Sequence, residues 1–249
     1  MKKAILLSTL CLLAACGEKP HETTQNTTHW SYDGEAGPPN WATLTPKFAT
    51  CSGKNQSPIN LAGLIEAELP PLELNYGSGA SKDVENNGHT IQVNFTDGNA
   101  IKLDSVWFSL QQFHFHAPSE NHINGKAFPM EAHLVHKDDS GNLTVVALMF
   151  EEGEANSELE KVWAEMPANA NTVIPLDSKV NVSALLPENL DYYRFNGSLT
   201  TPPCTEGVRW VVMKNPVAAS EAQIEKFAHV MHHPNNRPLQ ATNARPVLQ

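Results

Sequence analysis

The chain has 249 residues, 41% of them hydrophobic, enough for a single β-rich domain with a large core. Its formal charge is −10, from 27 acidic and 17 basic residues. That balance excludes the basic face nucleic acid requires, so no nucleic-acid partner is expected.

Residues 1–15 read as a signal peptide. Met1-Lys2-Lys3 is basic, and the apolar stretch from Ala4 to Ala15 is too short to span a bilayer as a helix. Leu13-Ala14-Ala15-Cys16-Gly17 has the form of a bacterial lipobox. Cleavage is therefore expected before Cys16, with lipid on Cys16 as the only membrane contact, in the periplasm or cell envelope. Residues 16–28 are polar and aperiodic and read as a flexible tether, with the folded domain over 29–249. Cys11 would leave with the signal peptide, and Cys16 would carry lipid. Cys51 and Cys204 remain as one pair, expected to be a disulfide in an oxidising compartment.

Further along, most segments are short strands between turn signals. Ile91 to Phe95 alternates cleanly, and Asp97-Gly98 turns the chain. Ile101 to Leu110, Leu143 to Phe150 and Val208 to Val212 follow, the last closing the series. Helices are few. Ser157-Glu158-Leu159-Glu160 reads as a capping box ahead of Val162, Trp163 and Met166 at helical spacing. Ser220 and Gln223 repeat the pattern before Ile224, Phe227 and Met231. The fold class is α+β, dominated by β.

Chemistry concentrates in two runs: Gln111-Gln112-Phe113-His114-Phe115-His116-Ala117-Pro118-Ser119-Glu120 and Glu131-Ala132-His133-Leu134-Val135. Alternate residues of a strand share a face. Gln112, His114 and His116 therefore point one way, Phe113 and Phe115 the other, and Glu131, His133 and Val135 share a face. Adjacent strands would bring three imidazoles to one point, the donor set of a catalytic zinc site with an open fourth position. The same residues could be a polar sheet face with Glu131 as a surface ion partner. His114-x-His116-x-x-x-Glu120 is also close to a first cupin motif, in which the glutamate is a ligand, but no second cupin motif follows.

Ordered matches along nearly all of residues 29–247 identify a family. They are His29-Trp30-Ser31-Tyr32, Gly37-Pro38, Trp41, Gln56-Ser57-Pro58-Ile59-Asn60 and Asn86-Asn87-Gly88-His89, followed by the two histidine runs. Gly197-Ser198-Leu199-Thr200-Thr201-Pro202-Pro203-Cys204 and Asn235-Asn236-Arg237-Pro238 complete the series. The chain resembles the α-class carbonic anhydrases. Its compact Ala117-Pro118-Ser119-Glu120 segment is similar to bacterial, extracytoplasmic members; animal members carry a longer turn and a Trp where Ala117 stands.

The resemblance implies a large, mostly antiparallel twisted sheet with a few short helices and a metal at the base of a conical cavity. It implies reversible hydration of carbon dioxide to bicarbonate and a proton, by attack of zinc-bound hydroxide. His114, His116 and His133 would hold one Zn2+ per chain, oriented by Gln112 and Glu131. Thr200 would act as gatekeeper, donating its proton to an ionised Glu120. His89 would be the proton shuttle, fed by waters ordered by Tyr32, Asn87 and Gln92; Gln92 stands where many relatives carry Asn. Thr90 is modest enough in size not to block the swing of His89. Val135, Val145, Leu199, Thr201, Val208 and Trp210 match the substrate pocket. Ser57–Pro58 and Pro202–Pro203 would be cis bonds. The partners expected are carbon dioxide and bicarbonate, on a monomer or homodimer.

Three other functions compete. A non-catalytic binding module on the same fold would typically lack a ligand histidine, and all three are present. A zinc-scavenging lipoprotein would favour His-rich loops, and His232-His233 is the only doublet. A cupin-type iron enzyme would use Glu120 as a ligand.

Overall fold

Period-two alternation of apolar residues builds the core of this protein. A computed structural model describes residues 29–77 and 80–249; the expected signal peptide, the expected lipid site at Cys16 and the expected tether lie outside the described residues. After short 3-10 turns the chain forms α1 (Trp41–Leu44), β1 (Asn60–Leu61), β2 (Glu73–Asn75), β3 (Ser81–Asn86), β4 (Ile91–Phe95), β5 (Ala100–Leu103) and β6 (Val106–His116). There follow β7 (His122–Ile123), β8 (Met130–Lys137), β9 (Leu143–Glu152), α2 (Ser157–Ala164), β10 (Thr172–Pro175) and α3 (Val182–Leu185). The last elements are β11 (Tyr192–Ser198), β12 (Glu206–Met213), β13 (Val217–Ala219) and α4 (Glu221–Met231).

One sheet of 11 strands runs β10-β3-β4-β6-β8-β9-β12-β11, with β5 beside β6, β2 beside β5 and β13 beside β9. Its pairs are antiparallel except β12 and β13, which run parallel to β9. A separate parallel pair joins β1 and β7. The β-dominated, mostly antiparallel fold expected from the sequence is the fold observed.

The sheet has two differently covered faces. Phe113, Phe115, Leu134, Val146, Leu148 and Val211 lie on one face, buried together with Trp163 of α2 and Phe227 of α4. The Phe115 ring meets Trp163 edge-on at 4.8 Å, and the Trp163 indole N–H donates to the Gln223 carbonyl at 2.8 Å. Phe115→Ala would cost about 3–5 kcal/mol, as for other fully buried aromatics. The opposite face carries Val145, Ala147, Met149, Val208, Trp210 and Val212 as a second buried cluster, and it is this face that bears the histidines.

Three local expectations are revised. The strand expected over Ile101 to Leu110 is a hairpin, turned by Asp104 and Ser105 at φ 53° and 65°. Such left-handed pairs are usually marked by Asn or Gly, and Asp-Ser gives a weaker signal. The helix α2 is capped by Asn156, not Ser157: Asn156 Oδ1 accepts the N–H groups of Glu158 and Leu159 at 3.0 and 3.1 Å. Ser157 is the first helical residue, and Met166 lies beyond the helix but packs on the same core. Finally, β13 follows β12, so Val208 to Val212 does not close the series. The Ser220–Gln223 capping box of α4 is formed as expected.

Cys51 and Cys204 are joined by a disulfide, with Cα atoms 4.9 Å apart and a sequence separation of 153. The Ser57–Pro58 and Pro202–Pro203 bonds are cis as expected, and Ala117–Pro118 is also cis.

Candidate metal centre

Strand register assembles the histidines. In the β6–β8 ladder His114 lies opposite His133, His116 opposite Glu131, and Gln112 opposite Val135. All six therefore share one face. One ring nitrogen from each of His114, His116 and His133 lies within 4.8 Å of the other two. His116 and His133 are buried, and half-buried His114 is the member that meets solvent.

The remaining ring nitrogens are each fixed by an acceptor. His114 Nδ1 contacts Gln112 Oε1 at 2.8 Å, His116 Nδ1 the Asn235 carbonyl oxygen at 2.7 Å, and His133 Nε2 contacts Glu131 Oε1 at 2.9 Å. Amide carbonyl and carboxylate oxygens only accept, so each of these nitrogens carries the proton. The lone pairs then sit on Nε2 of His114, Nε2 of His116 and Nδ1 of His133. Burial pushes all three imidazoles below their ordinary pKa, with mutual repulsion adding to the effect at His114 and His133. They are neutral near pH 7, as metal ligation requires. His116 Nε2 is buried without a hydrogen-bond partner. An orphaned acceptor at the meeting point of three lone pairs fits a metal ion.

Glu120 stands behind this group without joining it. Its Oε2 is 3.5 Å from His116 Nε2 and 3.9 Å from His133 Nδ1, while its Oε1 accepts the Arg237 backbone N–H at 2.8 Å. Burial pushes its carboxyl well above the usual carboxylate range; the Arg237 N–H, the Thr200 hydroxyl and the Arg237 charge pull the other way. Thr200 is itself buried. Its loop is braced by Ser57 and Ser198, which exchange backbone and hydroxyl hydrogen bonds at 2.9 and 3.1 Å. Gly197 allows that approach: a Cβ there would sit 2.1 Å from Ser57 Oγ.

Two further residues hold the site, and the sequence pattern assigns neither a role. Asn235, completely buried, holds His116 through its carbonyl; its side chain donates to the Phe115 carbonyl of β6 at 2.9 Å and accepts the N–H of Ala117, just past the strand, at 2.9 Å. Arg237, also buried, donates to Gln56 Oε1 and the Ser57 carbonyl at 2.8 Å and to the Cys51 carbonyl at 2.9 Å. Both lie in Asn235-Asn236-Arg237-Pro238, which carries the resemblance but has no periodicity from which a role could be read.

The expected pocket residues also converge. Val145, Val208 and Trp210 are buried beside partly buried Val135 and Leu199, and the Trp210 ring meets His133 edge-on at 4.9 Å. Thr201 closes the neighbouring turn, its carbonyl accepting the Cys204 N–H at 2.8 Å. His89 is stacked on Trp30 with ring centroids 3.7 Å apart. Its pKa is lowered by burial and by the charges of His29 and His233. The Tyr32 hydroxyl is held neutral by burial and by Glu120. Asn87 uses its Oδ1 within the His89 turn. Gln92 donates to Asn94 Oδ1 at 2.8 Å, and Asn94 in turn to Asp83 at 2.6 Å.

Residues 36–249 match the family model described as eukaryotic-type carbonic anhydrase. The chain belongs to the α-carbonic anhydrase family. It is 49% identical over 243 residues to a carbonic anhydrase of Pectobacterium carotovorum, covering 97% of this chain and 98% of the relative. A carbonic anhydrase of Neisseria gonorrhoeae is 46% identical, covering 97% and 96%. Among solved structures, the α-carbonic anhydrase of Thermovibrio ammonificans in complex with the inhibitor sulfanilamide superimposes with a TM-score of 0.87. It is 50% identical, covering 89% of this chain and 99% of that one. The chain is thus an enzyme of the carbonic anhydrase class, and α-carbonic anhydrases use zinc.

Proposed function

We propose that this chain catalyses the reversible hydration of carbon dioxide to bicarbonate and a proton, with one zinc held by His114, His116 and His133. The convergence of three neutral imidazole lone pairs, one of them orphaned, carries the reading. When bound, the metal supplies an acidified water, an effect for which carbonic anhydrases are the standard illustration, and a positive charge that favours the ionised form of Glu120.

The chain's own groups do the rest. Gln112, Glu131 and the Asn235 carbonyl hold the ligand rings in tautomer and orientation. Thr200 donates its hydroxyl proton to Glu120 and so leaves its oxygen free to accept from the reacting water, which orients that water's attack. Val135, Val145, Leu199, Val208 and Trp210 give carbon dioxide an apolar wall, with Thr201 at its edge. Tyr32, Asn87 and Gln92 order the waters leading to His89. A lowered pKa keeps His89 neutral near pH 7 and ready to accept the proton.

The same reading takes the enzyme to the periplasm or cell envelope, as monomer or homodimer, anchored by lipid on Cys16. The lipobox-like Leu13 to Gly17 and a disulfide suited to an oxidising compartment support it.

Stopped-flow hydration by purified protein tests the proposal. About one zinc per chain is expected, as for a three-histidine site. Activity should be lost with a zinc-binding sulfonamide and with His116→Ala. Iron in place of zinc, or full hydration by metal-free His116→Ala protein, would overturn it.

A further inference from the structure

The turn that carries His89 is fastened by its backbone, not by its imidazole. Inside the turn, Asn87 Oδ1 accepts the N–H groups of His89 and Thr90, both at 2.9 Å. Gly88 supplies a left-handed φ of +84°, which a side chain would disfavour. From outside, Asn235 Nδ2 donates to the His89 carbonyl at 3.1 Å and to the Phe115 carbonyl at 2.9 Å. The His89 ring has its stack on Trp30 and, among the described residues, no hydrogen bond. Its backbone is held while its side chain stays free to rotate.

Thr90 supplies the remaining fastening. It is buried, with only 6% of its surface exposed. Its hydroxyl donates to the Phe115 carbonyl at 2.6 Å and accepts the Phe115 N–H at 3.2 Å. Phe115 sits between His114 and His116, where the β4–β6 ladder has run out: its last rung on this side is Gln92 opposite His114. One hydroxyl therefore stands in for the missing rung and satisfies both backbone groups of Phe115. The sequence marks Thr90 only for its size beside His89; its hydroxyl is in fact engaged with the sheet.

We propose that Thr90 is a positioning residue for His89. Its hydroxyl sets the distance between the shuttle turn and the strand bearing His114 and His116, and so fixes the point from which the imidazole swings. This rests on the reading of His89 as proton acceptor. A purely structural hydrogen bond would lower stability and every rate together. A positioning contact acts only on proton export, which enters kcat at low buffer but not kcat/KM for carbon dioxide.

The experiment compares zinc-loaded wild type, Thr90→Val, Thr90→Ala, Thr90→Ser and His89→Ala by stopped-flow hydration at low and high imidazole. Thr90→Val and Thr90→Ala should lose about tenfold in kcat at low buffer, within the loss that misplacement of about 1 Å produces. Their kcat/KM should be unchanged, and imidazole should restore kcat. Thr90→Ser keeps the hydroxyl and should behave as wild type. Thr90→Ala covers the case in which the valine variant does not fold. Parallel loss of kcat and kcat/KM, or no loss in either hydroxyl-free variant, overturns the proposal. If His89→Ala still shows an imidazole-rescued defect in that case, the shuttle reading survives; if His89→Ala shows none, both fall.

Discussion

Glu131 holds Glu120 as well as His133: its Oε2 accepts the Glu120 N–H at 2.7 Å while its Oε1 contacts His133 Nε2 at 2.9 Å. The same carboxylate accepts the Asn121 N–H and the Asn121 side-chain amide, each at 2.8 Å. One fully buried group thus faces four donors and ties His133 to the residue behind Thr200.

Glu131→Gln should therefore damage metal binding. The variant brings an NH2 group into a site where every partner already donates, so at least one buried donor loses its acceptor. Zinc affinity should fall by about 10–100-fold, as for other residues that orient metal ligands. Competition against a chelator measures it; unchanged affinity would mean that His133 is held by packing alone.

Glu120→Gln should behave differently. Glu120 is outside the three-histidine group. A glutamine could keep the Arg237 N–H through its carbonyl, but its NH2 would no longer accept from Thr200. Turnover should drop about 100-fold, in the range for loss of one oriented hydrogen bond at the reacting centre, while zinc stays bound. Metal analysis of this variant separates the two readings of the motif, because a cupin-like glutamate ligand would take the metal with it.

The three-histidine group is legible in the sequence because each contact between one of its histidines and a side-chain partner spans two residues of one strand. Gln112 with His114 and Glu131 with His133 follow from alternation alone. Asn235 reaches His116 across 119 positions from an irregular segment, and no periodicity announces such a contact. Arg237 reaches Gln56, Ser57 and Cys51 across 181, 180 and 186 positions. Element ends are obscure for local reasons: Asn156 and Ser157 are both good caps, and side-chain geometry rather than residue type decides between them.

Reduction of the Cys51–Cys204 bridge should lower stability before activity. Its ends are anchored to the same frame: Arg237 donates to the Cys51 carbonyl at 2.9 Å and Gln56 to the Cys204 carbonyl at 3.1 Å. Opening a loop of this length should cost about 5 kcal/mol in the chain-entropy account. The melting temperature of reduced protein should fall clearly, while the Arg237 and Gln56 contacts keep Thr200 in place and activity largely intact well below the new midpoint. Two free thiols from Cys51 and Cys204 in denatured, unreduced protein would show that no bridge forms.

A buried pair on the other face of the sheet should make the protein acid-sensitive. His136 is fully buried, with Nδ1 on the Leu134 carbonyl at 2.9 Å and Nε2 on the Tyr76 hydroxyl at 2.6 Å. The carbonyl can only accept, so Nδ1 carries the proton and Nε2 accepts from Tyr76. Burial lowers the His136 pKa from 6.5 to about 3. Between those values the unfolded chain binds a proton that the folded chain refuses, so stability rises with pH across the window and is lost as pH falls through it. Each tenfold change in proton affinity is worth about 1.4 kcal/mol, which puts the effect between pH 7 and pH 4 at about 3 kcal/mol. Glu131, whose pKa is raised by burial, acts in the opposite sense over part of this range. The His136 contribution must therefore be read as a difference. His136→Gln can still accept from Tyr76 through its carbonyl and has no proton to gain. Urea unfolding of both proteins at pH 7 and pH 4 should show wild type losing about 3 kcal/mol more than the variant. Equal losses would mean that His136 can be protonated in place, with Tyr76 turning its hydroxyl to accept.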